Sequence, residues 1–355
     1  MVTRGGNEDQ GMSLGWPHTA VQEREAGAMA TEGDGVLSEE EWRGYFHALS
    51  NWGRWGPTDQ RGTLNLVDAR KVVAAASLVR EGRHVPCGRR VDFGSAVSVF
   101  EADDRPLHFM TSTGARLNDD GAGGGTDWVG FSIHGLYMTH LDAPSHQLWN
   151  GAMYNGHPAS SLTAEHGARA GSIELAETGI VSRGMLLDVA GDRGVDVLPE
   201  GYGITTDDLD HAAGANGVAV EPGDVVLVRT GYGAQRHAYR ERVPQLATAA
   251  GSTDRSSLPH LPGLHASTLP WFREHDVAVV GTDTGTDCRP PTHGWIAPFH
   301  VVAMCAMGMW VLDNFELEEL ARTCRELGRW TFMIVIAPIR FKNTTGSPVN
   351  PIAIF

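Results

Sequence analysis

The sequence predicts a mixed α/β domain. Met185–Val189 and Val225–Thr230 are short apolar runs rich in Val and Leu, as buried strands are. Between them, Thr205 or Thr206 can cap a helix containing Leu209, His211 and Ala212, since a threonine hydroxyl accepts hydrogen bonds from a helix's first free amides. Strand, helix, strand in that order favours helices packed on a sheet.

At 355 residues the chain can bury a full core, as one large domain or two. Residues 1–36, rich in Gly, Ala, Glu and Thr with no sustained apolar period, are expected to be a flexible N-terminal extension. The folded domain is expected over 37–355. The formal charge of -15, with no lysine/arginine block to offset it, argues against nonspecific nucleic-acid binding. Cys87, Cys288, Cys305 and Cys324 form no close pair, so neither a zinc knuckle nor a disulfide scaffold is suggested. No signal peptide is evident, and the apolar runs are broken by Asp or Pro before spanning length. A cytoplasmic protein without a membrane partner is therefore expected.

In chain order, Ser38 can cap a short helix over Glu39–Trp42. In Asn51–Pro57, Trp52 and Trp55 sit beside small turn residues and could wall an aromatic substrate pocket or close over the core. Asp68–Glu81 carries the helical stripe Val72, Val73, Ala76 and Val79, ended at Gly82. Val85–Phe100 reads as strands, and His108–Met110 as a strand entering the active region, its histidine either functional or structural. Asp119–Asp127 is too glycine-rich for a helix, and no Gly-Lys-Ser/Thr follows to make it a nucleotide loop; a mobile connection is expected.

Beyond the second strand, the amides of Gly231-Tyr232-Gly233 could stabilise developing negative charge on a carbonyl oxygen, or simply turn the chain out of the sheet. Arg236–Leu261 is a polar insertion, a lid or a surface excursion. Leu269–Glu274 predicts a short helix before the strand Val277–Val280, and the loop that follows carries Asp283 and Asp287, which could orient a ligand histidine or a substrate amine, or simply form a turn rich in Asp and Gly. Pro298–Met309 has a close-packing helical face. On one uninterrupted helix His300 and Asp313 would stand about 140° apart, so they share a site only if the helix stops near Gly308 and the chain turns back. Leu317–Leu327 and Phe332–Ala337 read as a helix and a buried strand.

The stretch Thr139–His146 organises the chemistry. Side chains two apart on an extended chain share a face, so His140 and Asp142 can approach one divalent ion together. Pro144 ends the strand and favours a turn that brings His146 back over the same place. An ordinary surface turn would contain the same residue types.

Leu136-Tyr137-Met138-Thr139-His140-Leu141-Asp142-Ala143-Pro144-Ser145-His146 resembles the metal-dependent cyclase and kynurenine formamidase family, which includes isatin hydrolase and whose pattern is His-x-Gly-Thr-His-x-Asp-x-Pro-x-His. The first histidine of that pattern is Leu136 here, which cannot bind metal. His134 lies on the same face and could substitute if the strand bends, although an extended chain would place it roughly 20 Å from His140. Gly281–Asp287 resembles the family's acidic loop, His300 its distal ligand histidine, Asp313-Asn314 its Glu-Asn pair, and Gly346–Pro351 the ending of longer bacterial members.

The resemblance implies a swivelling β/β/α fold, one divalent ion (zinc or manganese), a small-molecule substrate and a homo-oligomer. His140 and Asp142 are the expected metal ligands, followed by His300, Asp313 and His134; His146 is the expected proton-transfer residue, and Trp52, Trp55, Tyr232 and Asp283 are candidates for substrate contact. The implied reaction is hydrolysis of a small amide or cyclic amide. Ring closure or loss of water, and noncatalytic ligand binding, are the alternatives.

Overall fold

A nine-stranded mixed sheet positions the candidate site. The computed structural model describes residues 38–91, 93, 106–115, 117–233, 260–288 and 297–355. Chain contacts separate Met1–Val36 from a compact unit, Leu37–Phe355. The expected extension lies outside the described residues, as does the expected insertion except for its last two residues.

Ser38 accepts from the Glu41 amide while the Glu41 carboxylate accepts from the Ser38 amide, a reciprocal cap that starts α1 (Glu39–Ala48). Asp68 caps α2 (Ala69–Ala76), which ends five residues short of the predicted Glu81. Then come β1 (His84–Pro86), β2 (Leu107–Ser112), β3 (Thr126–Gly130), β4 (His140–Asp142), β5 (Leu162–Thr163), β6 (Gly167–Ala168) and β7 (Ile180–Leu187). Next, α3 (Val189–Asp192), β8 (Gly203–Ile204) and α4 (Thr206–Ala215), capped by Thr205, lead to β9 (Val225–Val228). After β10 (Gly263–Leu264), α5 (Leu269–Glu274) leads to β11 (Val279–Thr282), and α6 (Pro298–Cys305) to β12 (Trp310–Asp313). The chain closes with α7 (Glu318–Leu327), β13 (Thr331–Ile336), β14 (Gly346–Pro348) and β15 (Ile352–Ile354).

The sheet order is β1-β15-β13-β7-β9-β11-β12-β4-β14. Strands β7, β9, β11 and β12 are mutually parallel, and the flanking strands pair antiparallel. Parallel strands need both faces covered, and β9 meets that demand with four buried residues: Val226 and Val228 face one apolar layer, Val225 and Leu227 the other. The mixed α/β expectation matches this arrangement. Among the described residues, no helix is long and apolar enough to cross a membrane.

Two expectations change. Of the predicted strands over Val85–Phe100, the described part contains only β1, whose predicted first residue is preceded by His84. His108–Met110 does not enter the active region as a sheet strand: β2 pairs with β3 in a separate two-stranded hairpin, and the glycine-rich segment turns between them. Both strands of the hairpin are exposed along nearly their whole length.

Candidate metal and active site

Strand β4 lies between β12 and β14, with His140 opposite Asp313 and Pro348, and Asp142 opposite Val311 and Gly346. The period of two therefore puts both β4 side chains on one buried face. His140 Nδ1–H donates to the Met138 carbonyl at 3.0 Å, which leaves Nε2 facing Asp142 Oδ1 at 3.4 Å. Pro144 opens a single turn, Pro144–His146, and that turn returns His146 so that its Nε2 is 3.8 Å from Asp142 Oδ2.

His134 also reaches the cluster. Its Nδ1 is 2.8 Å from Asp142 Oδ1, its Nε2 is 2.8 Å from Thr345 Oγ1, and its ring stacks on His146 with centroids 3.7 Å apart. The long separation of an extended chain does not apply, because the chain bends between His134 and His140. Gly135 has φ +120°, and Asn314 Nδ2 donates to the carbonyls of Gly135 at 2.7 Å and Met138 at 3.2 Å. Arg89 holds the same bend, donating to Leu136 O at 3.2 Å and to Asn314 Oδ1 at 2.9 Å. Leu136 packs beside Gly285, where an added Cβ would meet its Cδ2 at 3.0 Å and Asp313 Oδ2 at 3.9 Å.

His300 and Asp313 arrive from the far end of the sequence. Helix α6 ends at Cys305, Gly308 adopts φ +62°, and β12 runs back to Asp313. The turn needs glycine on two counts: the left-handed conformation disfavours a Cβ, and one placed there would lie 2.6 Å from the Tyr154 ring. His300 Nε2 thus sits 3.4 Å from Asp313 Oδ2 and 3.7 Å from Asp142 Oδ2. Asp287 orients the histidine, accepting from His300 Nδ1 at 2.5 Å and from the Phe299 amide, one of the free donors at the start of α6, at 2.9 Å. Thr286 Oγ1 donates to Asp313 Oδ1 at 2.6 Å.

Burial raises the cost of charge on Asp142, but the imidazoles of His146, His140 and His134 hold its carboxyl well below the usual range. Burial pushes His146 down to about 4 despite the attraction of Asp142, so it is a neutral base at pH 7. Burial also opposes charge on His300, yet Asp313 and Asp287 raise its pKa well above that of a free imidazole. For Asp313, His300 outweighs burial and lowers the pKa.

The donors fit a divalent cation. Asp142 Oδ2 is buried and has no hydrogen-bond partner, although buried carboxylate oxygens are ordinarily satisfied. Two overlapping triads meet at this residue, His134/His140/Asp142 and Asp142/His300/Asp313, each with ligand atoms within 4.8 Å of one another. Mixed imidazole and carboxylate ligands suit zinc or manganese.

Trp52 Nε1 donates to the Cys305 carbonyl at 2.7 Å, at the end of α6 opposite His300, and Trp55 lies under the Arg54 guanidinium 4.7 Å away. Asp283 accepts from the Thr230 amide at 2.9 Å through one oxygen and from the Gly231 amide at 2.9 Å through the other. That carboxylate occupies the Gly231 amide offered above as an oxyanion donor, while the Tyr232 amide donates to Thr230 Oγ1 at 3.2 Å. The turn at 231–233 is therefore a braced exit from the sheet. Thr286, Thr345 and Arg89 escaped the sequence reading. Their roles depend on partners 27 to 225 residues away, and no local period announces such contacts.

The Cyclase family model matches residues 91–286, a span that includes His134, His140, Asp142 and His146. A crystal structure described as a novel cyclase is 30% identical, covers 87% of this chain and 99% of its own, and superposes with a TM-score of 0.75. Isatin hydrolase A from Labrenzia aggregata, bound to benzyl benzoate, is 22% identical over 80% of this chain and 97% of its own, with a TM-score of 0.51. The corresponding protein from Ralstonia solanacearum is 20% identical over 76% and 91%, with a TM-score of 0.52. The latter two likenesses establish shared fold. A search of curated proteins found no match.

Proposed function

The chain belongs to the cyclase family, and from that premise we propose that it is a metal-dependent hydrolase of a small amide or cyclic amide. The observation that carries the reading is Asp142, the residue common to both triads, whose buried Oδ2 has no hydrogen-bond partner and faces His146 and His300 while Oδ1 faces His134 and His140. A bound zinc or manganese ion would supply Lewis acidity to a substrate carbonyl and to a water. His134, His140 and Asp142 are the proposed ligands, with His300 and Asp313 on the other side of Asp142. His146, neutral at pH 7 and with a quarter of its side chain exposed, takes the water proton at an imidazole nitrogen and returns it to the leaving nitrogen. His134 stacked against it fixes the plane of its ring.

Product mass tests the reaction. Protein loaded with zinc or manganese and given a panel of N-acyl and ring amides should open a ring amide to one product heavier by one water, and split an N-acyl amide into an acid and an amine whose masses together exceed the substrate by one water. An unchanged mass, or one lower by a water, would instead identify a cyclase or dehydratase. Binding without any metal-dependent turnover across the panel would identify a noncatalytic binding protein.

The proposal includes a homo-oligomer in which the β2–β3 hairpin meets its counterpart from a second copy. Leu107, Phe109 and Trp128 are exposed on one face of this hairpin, with Met110 and Val129 on the other, and Phe109 stacks on Trp128 with centroids 4.9 Å apart. A two-stranded hairpin alone is marginal in water, and a self-matching apolar face supplies the missing packing. Light scattering should give a multiple of 38.2 kDa for the wild type and a smaller mass for a Phe109→Ser/Trp128→Ser variant. A monomeric wild type would remove the oligomer from the account.

A further inference from the structure

Thr286 is β-branched, fully buried and held at φ +57°. A branched side chain in the left-handed region is a steric outlier that persists only where its surroundings impose it. Here they do. The Thr286 amide donates to Thr282 Oγ1 at 3.1 Å, its carbonyl accepts from the Leu264 amide at 2.7 Å, and Gly263 packs so closely that an added Cβ would lie 2.6 Å from that carbonyl oxygen. Glycine or asparagine would be the relaxed choice for this conformation. Neither carries a hydroxyl, and the hydroxyl has a specific use.

Thr286 Oγ1 donates to Asp313 Oδ1 at 2.6 Å, leaving Oδ2 directed at His300 Nε2, 3.4 Å away. The next residue, Asp287, leaves the same turn to accept from His300 Nδ1 and the start of α6. One strained turn thus sets the orientation of two members of the Asp142/His300/Asp313 triad from behind. Because Asp313 has a shorter side chain than glutamate, its carboxylate has little reach, and a turn fixed in place gives it a defined direction.

We propose that Thr286 is a positioning residue which aims Asp313 Oδ2 at a bound divalent cation, its left-handed backbone being maintained for that purpose. The inference rests on the metal-site reading above, and metal affinity separates the two. Zinc dissociation constants, measured by competition with a chromogenic chelator, would be compared for wild type, Thr286→Ser, Thr286→Val and Thr286→Ala, alongside the Tm of each metal-free protein. Serine keeps the hydroxyl and should bind close to the wild-type value. Valine keeps the branched shape without the hydroxyl and should bind about 10–100-fold more weakly, the usual loss when a group behind a ligand is removed. Alanine should weaken binding similarly, and serves as the second hydroxyl-free variant if valine does not fold. A purely structural threonine would lower the metal-free Tm without separating serine from the other two in affinity. Wild-type affinity in both valine and alanine variants, with zinc still bound by the wild type, would overturn the role of Thr286 alone. Failure of the wild type to bind zinc or manganese would overturn the metal site and this inference together.

Discussion

Asp142→Ala is expected to remove metal-dependent turnover and to weaken divalent-metal binding by more than about 100-fold, since replacing even a residue behind a ligand costs about 10–100-fold. Asp142 is the one residue common to both triads, with Oδ1 facing His134 and His140, and Oδ2 facing His146 and His300. Among the described residues the nearby carboxylates are already engaged: Asp313 approaches from the neighbouring strand with one oxygen committed to Thr286, and Asp287 is committed to His300 and α6. The fold should survive, because β4 is held by backbone pairing to β12 and β14 on both sides. Asp142→Asn is the shape-preserving comparison. It keeps the volume but presents a neutral amide, and should bind metal nearly as poorly. Chelator competition gives the affinity and circular dichroism the fold; a folded Asp142→Ala protein with wild-type affinity would contradict the assignment.

His146→Ala should separate binding from chemistry. Its Nε2 lies 3.8 Å from Asp142 Oδ2, farther than the His134 and His140 contacts, and it belongs to neither triad. Its ring is held by stacking on His134 and by the short turn after Pro144, an arrangement suited to moving a proton. Loss of this base should lower kcat by about 10²–10⁴-fold while metal affinity changes little. Exogenous imidazole should restore part of the rate, as the cavity left by alanine can admit it. An equal loss of metal affinity in His146→Ala would make His146 a ligand and leave proton transfer to another group.

The part of the site built on local periodicity was legible in the sequence. Two-residue spacing placed His140 and Asp142 on one face, Pro144 called for the turn that returns His146, and Gly308 permitted the reversal that brings Asp313 back to His300. The mixed α/β character was likewise legible from continuous apolar strands separated by a capped helix. What depends on distant partners was not. The bend that delivers His134 is held by Asn314 and Arg89, far away in sequence, so an extended-chain estimate placed this histidine too far from its neighbours. Asp283 presented the same signature as Asp287, an acid in a glycine-rich loop after a strand. One braces the end of β9 and the other orients His300, a division decided by tertiary packing.

The most direct test of a metal centre built on Asp142 is elemental mass spectrometry of the purified, zinc- or manganese-loaded protein after desalting, with wild type beside Asp142→Ala and His146→Ala. The account predicts about one equivalent of metal in wild type and in His146→Ala, and none in Asp142→Ala. No retained metal in the wild type, or equal retention in Asp142→Ala, would contradict it.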